Sequence, residues 1–158
     1  MNLYCPRCWG INEWGGEVCD RCGAPMRGPE EETYMQKLIW ALHHPEAATA
    51  LRAATILGDL RAPEATDTLI EVLDASAKDP YLGAAAARGL GTIGDPESRT
   101  ALITALACGP VAVRLAAVEA LEKLGPNEKS VEALRRAMED RSERVGDSAT
   151  QVLAAWGS

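Results

Sequence analysis

The sequence predicts an all-α fold, a short solenoid of four helical hairpins over residues 31–158, preceded by a small four-cysteine module over residues 1–26. Three observations carry this. Leu57, Leu90, Leu121 and Leu153 stand 33, 31 and 32 residues apart, and Ala53, Ala86, Ala117 and Ala149 repeat the same intervals in the same register. A fixed period of this length with one apolar helical stripe per period marks a repeat array. Pro45, Pro63, Pro80, Pro96, Pro110 and Pro126 are 18, 17, 16, 14 and 16 residues apart, about half a period. Proline fits the first turn of a helix and not its interior, so each period divides into two helices. Finally, Cys5-Pro-Arg-Cys8 and Cys19-Asp-Arg-Cys22 are two C-x-x-C pairs, ten residues apart.

Those pairs come first in the chain. Each can form a tight turn that aims two thiolates at one ion, and two such turns complete a tetrahedral Zn²⁺ site. Gly10 and Gly23 are read as giving the turns their backbone freedom, and Trp9 to Val18 leaves room for a hairpin bending at Asn12 to Gly16. Two readings of the zinc stay open. A closed site would hold together a module too small to fold by burial, whereas a catalytic or redox role needs an open ligand position or an isolated C-x-x-C. Trp9 and Trp14 are large for so small a module and are either its core or a contact surface. Residues 27–30, within the run A-P-M-R-G-P-E, read as a linker.

From Glu31 the apolar spacing places first helices at 31–43, 64–74, 96–107 and 127–139, and second helices at 45–60, 80–93, 110–124 and 142–156. Val113, Ala116, Ala117, Ala120, Leu121 and Leu124 form the clearest stripe. Asp79 and Asp95 precede prolines as N-cap candidates, and Gly94 and Gly125 stand where helices should stop. Nine residues rather than seven separate Leu73 from Leu82, so the turn near Ser76 to Lys78 is expected to be longer than its counterparts. Asp147, Ser148, Thr150 and Gln151 make the last helix more polar, as a terminal repeat facing water requires. Trp156, in the column of Leu60, Ile93 and Leu124, reads as packing.

Composition narrows the function. Hydrophobic residues make up 47% but aromatics only 4%, with no Phe, which suits closely packed Ala- and Leu-rich helices. The net charge of −7 divides as −1, −5 and −1 over residues 1–30, 31–80 and 81–158. No segment offers the dense basic field that phosphate neutralisation requires, so nucleic acid is not expected as a partner. Met1 to Gly10 lacks a signal pattern and no run of about 18 apolar residues occurs, so a soluble, cytoplasmic protein without membrane contact is expected. His43 and His44 read as a solvated turn with His44 near a cap, and Cys108 as a buried, inert thiol. No nucleophile–base set, phosphate loop or cofactor fingerprint is visible, so no enzymatic activity is expected.

Residues 3–26, including the trailing C-G-A-P-M, resemble the short bacterial zinc-ribbon module. Trp9 departs from it where that family has Gly after the second Cys, and Val18 where an aromatic is common. Residues 31–158 resemble HEAT repeats, and more closely the HEAT-like repeats named after phycobilisome lyases. Their motif V-R-x-x-A-A-x-A-L-G-x-L-G-D-P-E-A is met best by Val113 to Gly125 and by Leu90 to Glu97. The motif arginine is present only as Arg114, with Ala50, Gly83 and Gly146 in its place elsewhere.

The resemblance implies a right-handed α-solenoid whose second helices line a concave face. On that face it would set Leu51, Thr55, Arg88, Leu115, Glu119 and Gln151, above a floor of Ala54, Gly58, Ala84, Ala87 and Gly91. Alternatively, neighbouring repeats bury much of this surface. The function expected is a non-enzymatic protein-interaction adaptor or scaffold. Alternatives from other classes are a nucleic-acid-associated protein and, through the repeat's name, a bilin lyase or lyase-like chaperone.

Overall fold

The computed structural model describes residues 3–5, 8–12, 17–24, 26 and 33–157. The expected linker at 27–30, Trp14 and most of the expected bend lie outside the described residues. Two short antiparallel strands, β1 (Leu3–Tyr4) and β2 (Ile11–Asn12), pair Leu3 with Asn12 and Tyr4 with Ile11. The strands therefore flank the first C-x-x-C turn. The hairpin expected within Trp9 to Val18 has its bend largely outside the described residues, and Ile11–Asn12, on its first arm, pairs with Leu3–Tyr4.

Eight helices follow among the described residues: α1 (Tyr34–Ala41), α2 (Ala47–Asp59), α3 (Thr66–Asp74), α4 (Pro80–Ile93), α5 (Arg99–Cys108), α6 (Val111–Leu124), α7 (Glu128–Ala137) and α8 (Glu143–Trp156). Consecutive helices pack in pairs, and α2, α4, α6 and α8 lie side by side as one layer. Local chemistry sets the ends. Asp79 Oδ1 accepts from the Tyr81 and Leu82 amides, and Asn127 Oδ1 from the Ser130 amide, each capping orphan donors of a first turn. Gly94, at φ +81°, ends α4 in the left-handed region. Pro63 and Pro96 open short 3₁₀ turns that lead into α3 and α5, which delays those helices to Thr66 and Arg99.

Residues 75–79, which join α3 to α4, form a longer connection than residues 109–110 between α5 and α6, as the spacing leads one to expect, but not a longer one than residues 42–46 between α1 and α2 or 138–142 between α7 and α8. Ser76 in this connection is buried against α4, where a Cβ on Gly83 would lie 2.3 Å from the Ser76 Cβ.

The repeating columns form the core: Leu57, Leu90 and Leu121 are fully buried, as are Ala86, Ala117 and Ala149. The small residues expected to floor a groove have another task. Ala54, Ala84 and Ala87 are buried in the core. A Cβ on Gly58 would stand 2.8 Å from the Gly89 Cα, and one on Gly91 2.5 Å from the Ala120 Cα. Neighbouring second helices thus meet backbone to backbone, and the reading in which repeats bury this surface holds for these positions.

Two arginines tie repeats together. Arg99, at the start of α5, donates to the Leu124 and Gly125 carbonyls at the end of α6 and to Ser130 Oγ of α7, placing a cation where the helix dipole is negative. Arg114 is 3% exposed; it makes a bidentate pair with Asp140 at 2.8 Å and also donates to the Gly109 carbonyl. The Arg114 guanidinium, helped by the Ser142 amide, holds the Asp140 carboxyl below the usual carboxylate range against the opposing effect of burial.

Asp140→Asn leaves Arg114 buried without its counter-charge, and should lose roughly 3–5 kcal/mol at pH 7. Because folding lowers the Asp140 pKa, the pair's stabilisation is present above the unfolded value of about 3.9 and is lost as pH falls through the lower folded value. Urea unfolding of both proteins should show midpoints well apart at neutral pH that converge in acid.

Candidate metal centre and second-helix groove

The two cysteine turns are built alike. In the first, the Cys5 amide donates to the Gly10 carbonyl and the Trp9 amide to the Cys5 carbonyl; in the second, Cys19 donates to Ala24 and Gly23 to Cys19, all within 2.7–2.9 Å. The fifth residue of each turn is left-handed, Trp9 at φ +56° and Gly23 at φ +68°. Gly10 therefore does not supply the conformational freedom expected of it. Its role is space, since a Cβ there would meet the Arg21 Cδ at 3.1 Å and the Cys8 Sγ at 3.3 Å. Asn12, buried, joins the turns by donating to the Gly10 carbonyl at 2.8 Å and accepting from the Asp20 amide at 2.9 Å.

Together the turns bring Cys5, Cys8, Cys19 and Cys22 into one cluster, all four sulfurs within 4.8 Å of one another. Cys5 Sγ lies 3.7 Å from Cys22 Sγ and Cys8 Sγ 3.6 Å from Cys19 Sγ. Disulfide sulfurs lie about 2.05 Å apart, whereas a tetrahedral zinc with bonds near 2.3 Å sets its sulfurs about 3.8 Å apart. The cluster fits the ion. Four thiolates would fill its coordination, leaving no position for substrate or water.

The thiols are electrostatically unequal. Burial opposes a thiolate at Cys19, but the Cys22 and Arg21 amides, Cys8 and Asn12 stabilise it and bring the thiol down to about 6. At Cys8 the Gly10 amide favours the thiolate, yet burial and hydrogen bonding with Cys22, Cys19 and Cys5 push it up to about 12. A metal ion binding here displaces the remaining thiol protons.

The module touches the helical array. The Trp9 indole N–H donates to the Trp40 carbonyl at 3.1 Å, and its ring meets the His44 ring edge-on at 4.3 Å between centroids. His44 is half-buried, and its Nδ1 accepts from the Glu46 amide at the start of α2. The expected position near a cap holds for His44, though the ring is packed rather than merely solvated. Beside this contact lies an open cleft of about 720 Å³ between Arg21 and Cys22 on one side and Ile39, His43 and Glu71 on the other.

A second groove, about 320 Å³, runs over the second helices and gathers three of the expected partner-binding residues, Leu51, Thr55 and Arg88. Arg88 Nε lies 3.0 Å from Glu119 Oε2, which places a fourth at its edge. Leu115 is half-buried against the core and Gln151 is exposed on α8, and neither lines this groove. Sequence reasoning missed Thr92 and Lys123, which line it and are joined by a 2.9 Å hydrogen bond. Their signal was available, since the pair has the same 31-residue offset as Arg88 and Glu119. Cys108 is exposed at the end of α5, correcting the expectation of a buried thiol.

Residues 35–112 match the family model for HEAT repeats, and residues 113–140 match that for the PBS lyase HEAT-like repeat. No curated protein matches the chain. Among the described residues, no helix is long and apolar enough to cross a membrane.

Asn12→Ala removes the link between the turns and a donor to Cys19 while leaving every sulfur in place. Outer-sphere losses of this kind typically lower metal affinity by roughly 10–100-fold. Competition with a chromophoric chelator should show that loss, with unchanged stoichiometry.

Proposed function

We propose that this HEAT-repeat chain is a non-enzymatic adaptor that receives an extended segment or helix of another protein along its second-helix face, the concave side of the solenoid. In this reading one structural zinc ion, held by Cys5, Cys8, Cys19 and Cys22, maintains a ribbon module ahead of the array.

The observation that carries the reading is the composition of the second-helix groove. Exposed Leu51 supplies an apolar foothold at one end, and Arg88–Glu119 and Thr92–Lys123 form two polar rungs across neighbouring repeats. The Arg88 and Glu119 side chains remain 50% and 42% exposed, so a partner can share their hydrogen bonds without opening the core. That combination suits an amphipathic segment laid across the repeats. The groove is shallow because the small residues beneath it are consumed in helix packing, so affinity would come from several repeats acting together.

An exposed ion pair contributes about 0–1 kcal/mol to stability. Arg88→Glu and Leu51→Glu should therefore fold normally by circular dichroism. Both should weaken capture of the protein partner identified by affinity purification with the unaltered chain; unchanged capture by both folded variants would rule out this face.

For the ribbon, elemental analysis is expected to give one equivalent of zinc. Cys19→Ser should abolish it while leaving the helical signal of residues 31–158 largely intact. Collapse of the whole chain in that variant would contradict the division into two modules.

A further inference from the structure

The two cysteine turns share their backbone hydrogen bonds and their left-handed fifth residue, yet one carries Gly23 there and the other Trp9. Glycine adopts this conformation without penalty, whereas a residue with a Cβ loses on the order of 1–2 kcal/mol. The second turn shows that the module's geometry requires no side chain at this point. What Trp9 contributes lies outside its own turn. Its indole N–H reaches the Trp40 carbonyl, in the last turn of α1, adding a second donor to the His43 amide that also reaches it. Its ring packs on His44, which is itself fixed by accepting the Glu46 amide at the N-terminus of α2. One side chain thus bridges the module to α1 and to the connection between α1 and α2.

We infer that Trp9 is a metal-dependent latch. The ion, by closing the Cys5–Cys8 turn, imposes the left-handed backbone that projects the indole onto the α1–α2 corner. Once the turn is released from the ion, the strain at Trp9 is relieved by leaving that conformation, and the module separates from the hairpin. Metal loading then governs whether the corner around Trp40 and His44 is covered or open. This rests on the metal reading of the four cysteines and is independent of the adaptor role of the second-helix groove.

The two histidines, His43 and His44, allow a direct test by proton NMR, with metal content measured on the same samples. In the zinc-loaded chain the His44 ring protons should carry a ring-current shift from Trp9. That shift should be lost when zinc is removed by a chelator. It should also be lost in Trp9→Gly with one equivalent of zinc still bound, because glycine suits the left-handed position. Trp9→Phe, which keeps a ring but not the indole donor, should retain the shift only in part. A His44 shift that survives zinc removal, or that persists in loaded Trp9→Gly, overturns the latch. Failure of Trp9→Gly to bind zinc overturns it equally, by making Trp9 part of the module's own fold. Absence of bound zinc in the unaltered chain contradicts the metal reading instead, so the two failures are distinguishable.

Discussion

The close approach of neighbouring second helices is the constraint on which the rest of the array depends. Where α2 meets α4 and α4 meets α6, the contacts are glycine against glycine and glycine against alanine backbone, with no room for even one added methyl group. Such contacts let the helices approach more closely than packing through larger side chains would. They account for an Ala- and Gly-rich interior and for the absence of Phe. The large aliphatic residues are displaced to the seam between the two helix layers, where Leu57, Leu69, Leu90, Leu102, Leu121 and Leu134 are fully buried.

Polar ties between repeats differ in kind according to burial. Arg114 and Asp140 have given up most of their hydration, so their pairing is obligatory, and loss of one partner strands the other. Arg88 and Glu119 keep about half their exposure, contribute little to stability and remain available to a partner. Both kinds of tie meet on α6, where Arg114 and Glu119 lie five positions apart and only the first is committed to the fold; in the proposed reading the second is left for recognition. The four-cysteine module follows a third logic. Its buried core among the described residues is Cys5, Cys19, Ala24 and Met26, which is little apolar surface, and an ion held by the four cysteines, as proposed, would supply what that burial does not.

Much of this was legible in the sequence, for reasons that can be stated residue by residue. The Leu57 and Ala53 columns repeat because each copy occupies the same place in the core, and the prolines and capping aspartates mark helix starts because their chemistry is local. The cysteine cluster was legible from spacing alone. What stayed hidden depends on contacts between elements. Helical geometry placed Gly58 and Gly91 on one face but could not say that another backbone stood within 3 Å, so packing contacts were read as a groove floor. Asp140 lies in a turn 26 residues from Arg114, outside any motif position. Trp9 stood out as a departure from the zinc-ribbon pattern, but its partners Trp40 and His44 belong to a different module, and no periodicity connects them.

Unfolding of Gly91→Ala tests the central constraint most directly, because two effects of comparable size have opposite signs. In a helix with open surroundings, alanine is favoured over glycine by about 1 kcal/mol. Here the added methyl group would lie 2.5 Å from the Ala120 Cα, and overpacking of this kind typically destabilises by 1–3 kcal/mol. The account predicts a net loss of stability in urea denaturation. A gain of about 1 kcal/mol, as intrinsic helix propensity alone would give, would contradict the claim that backbone contact between second helices organises the fold.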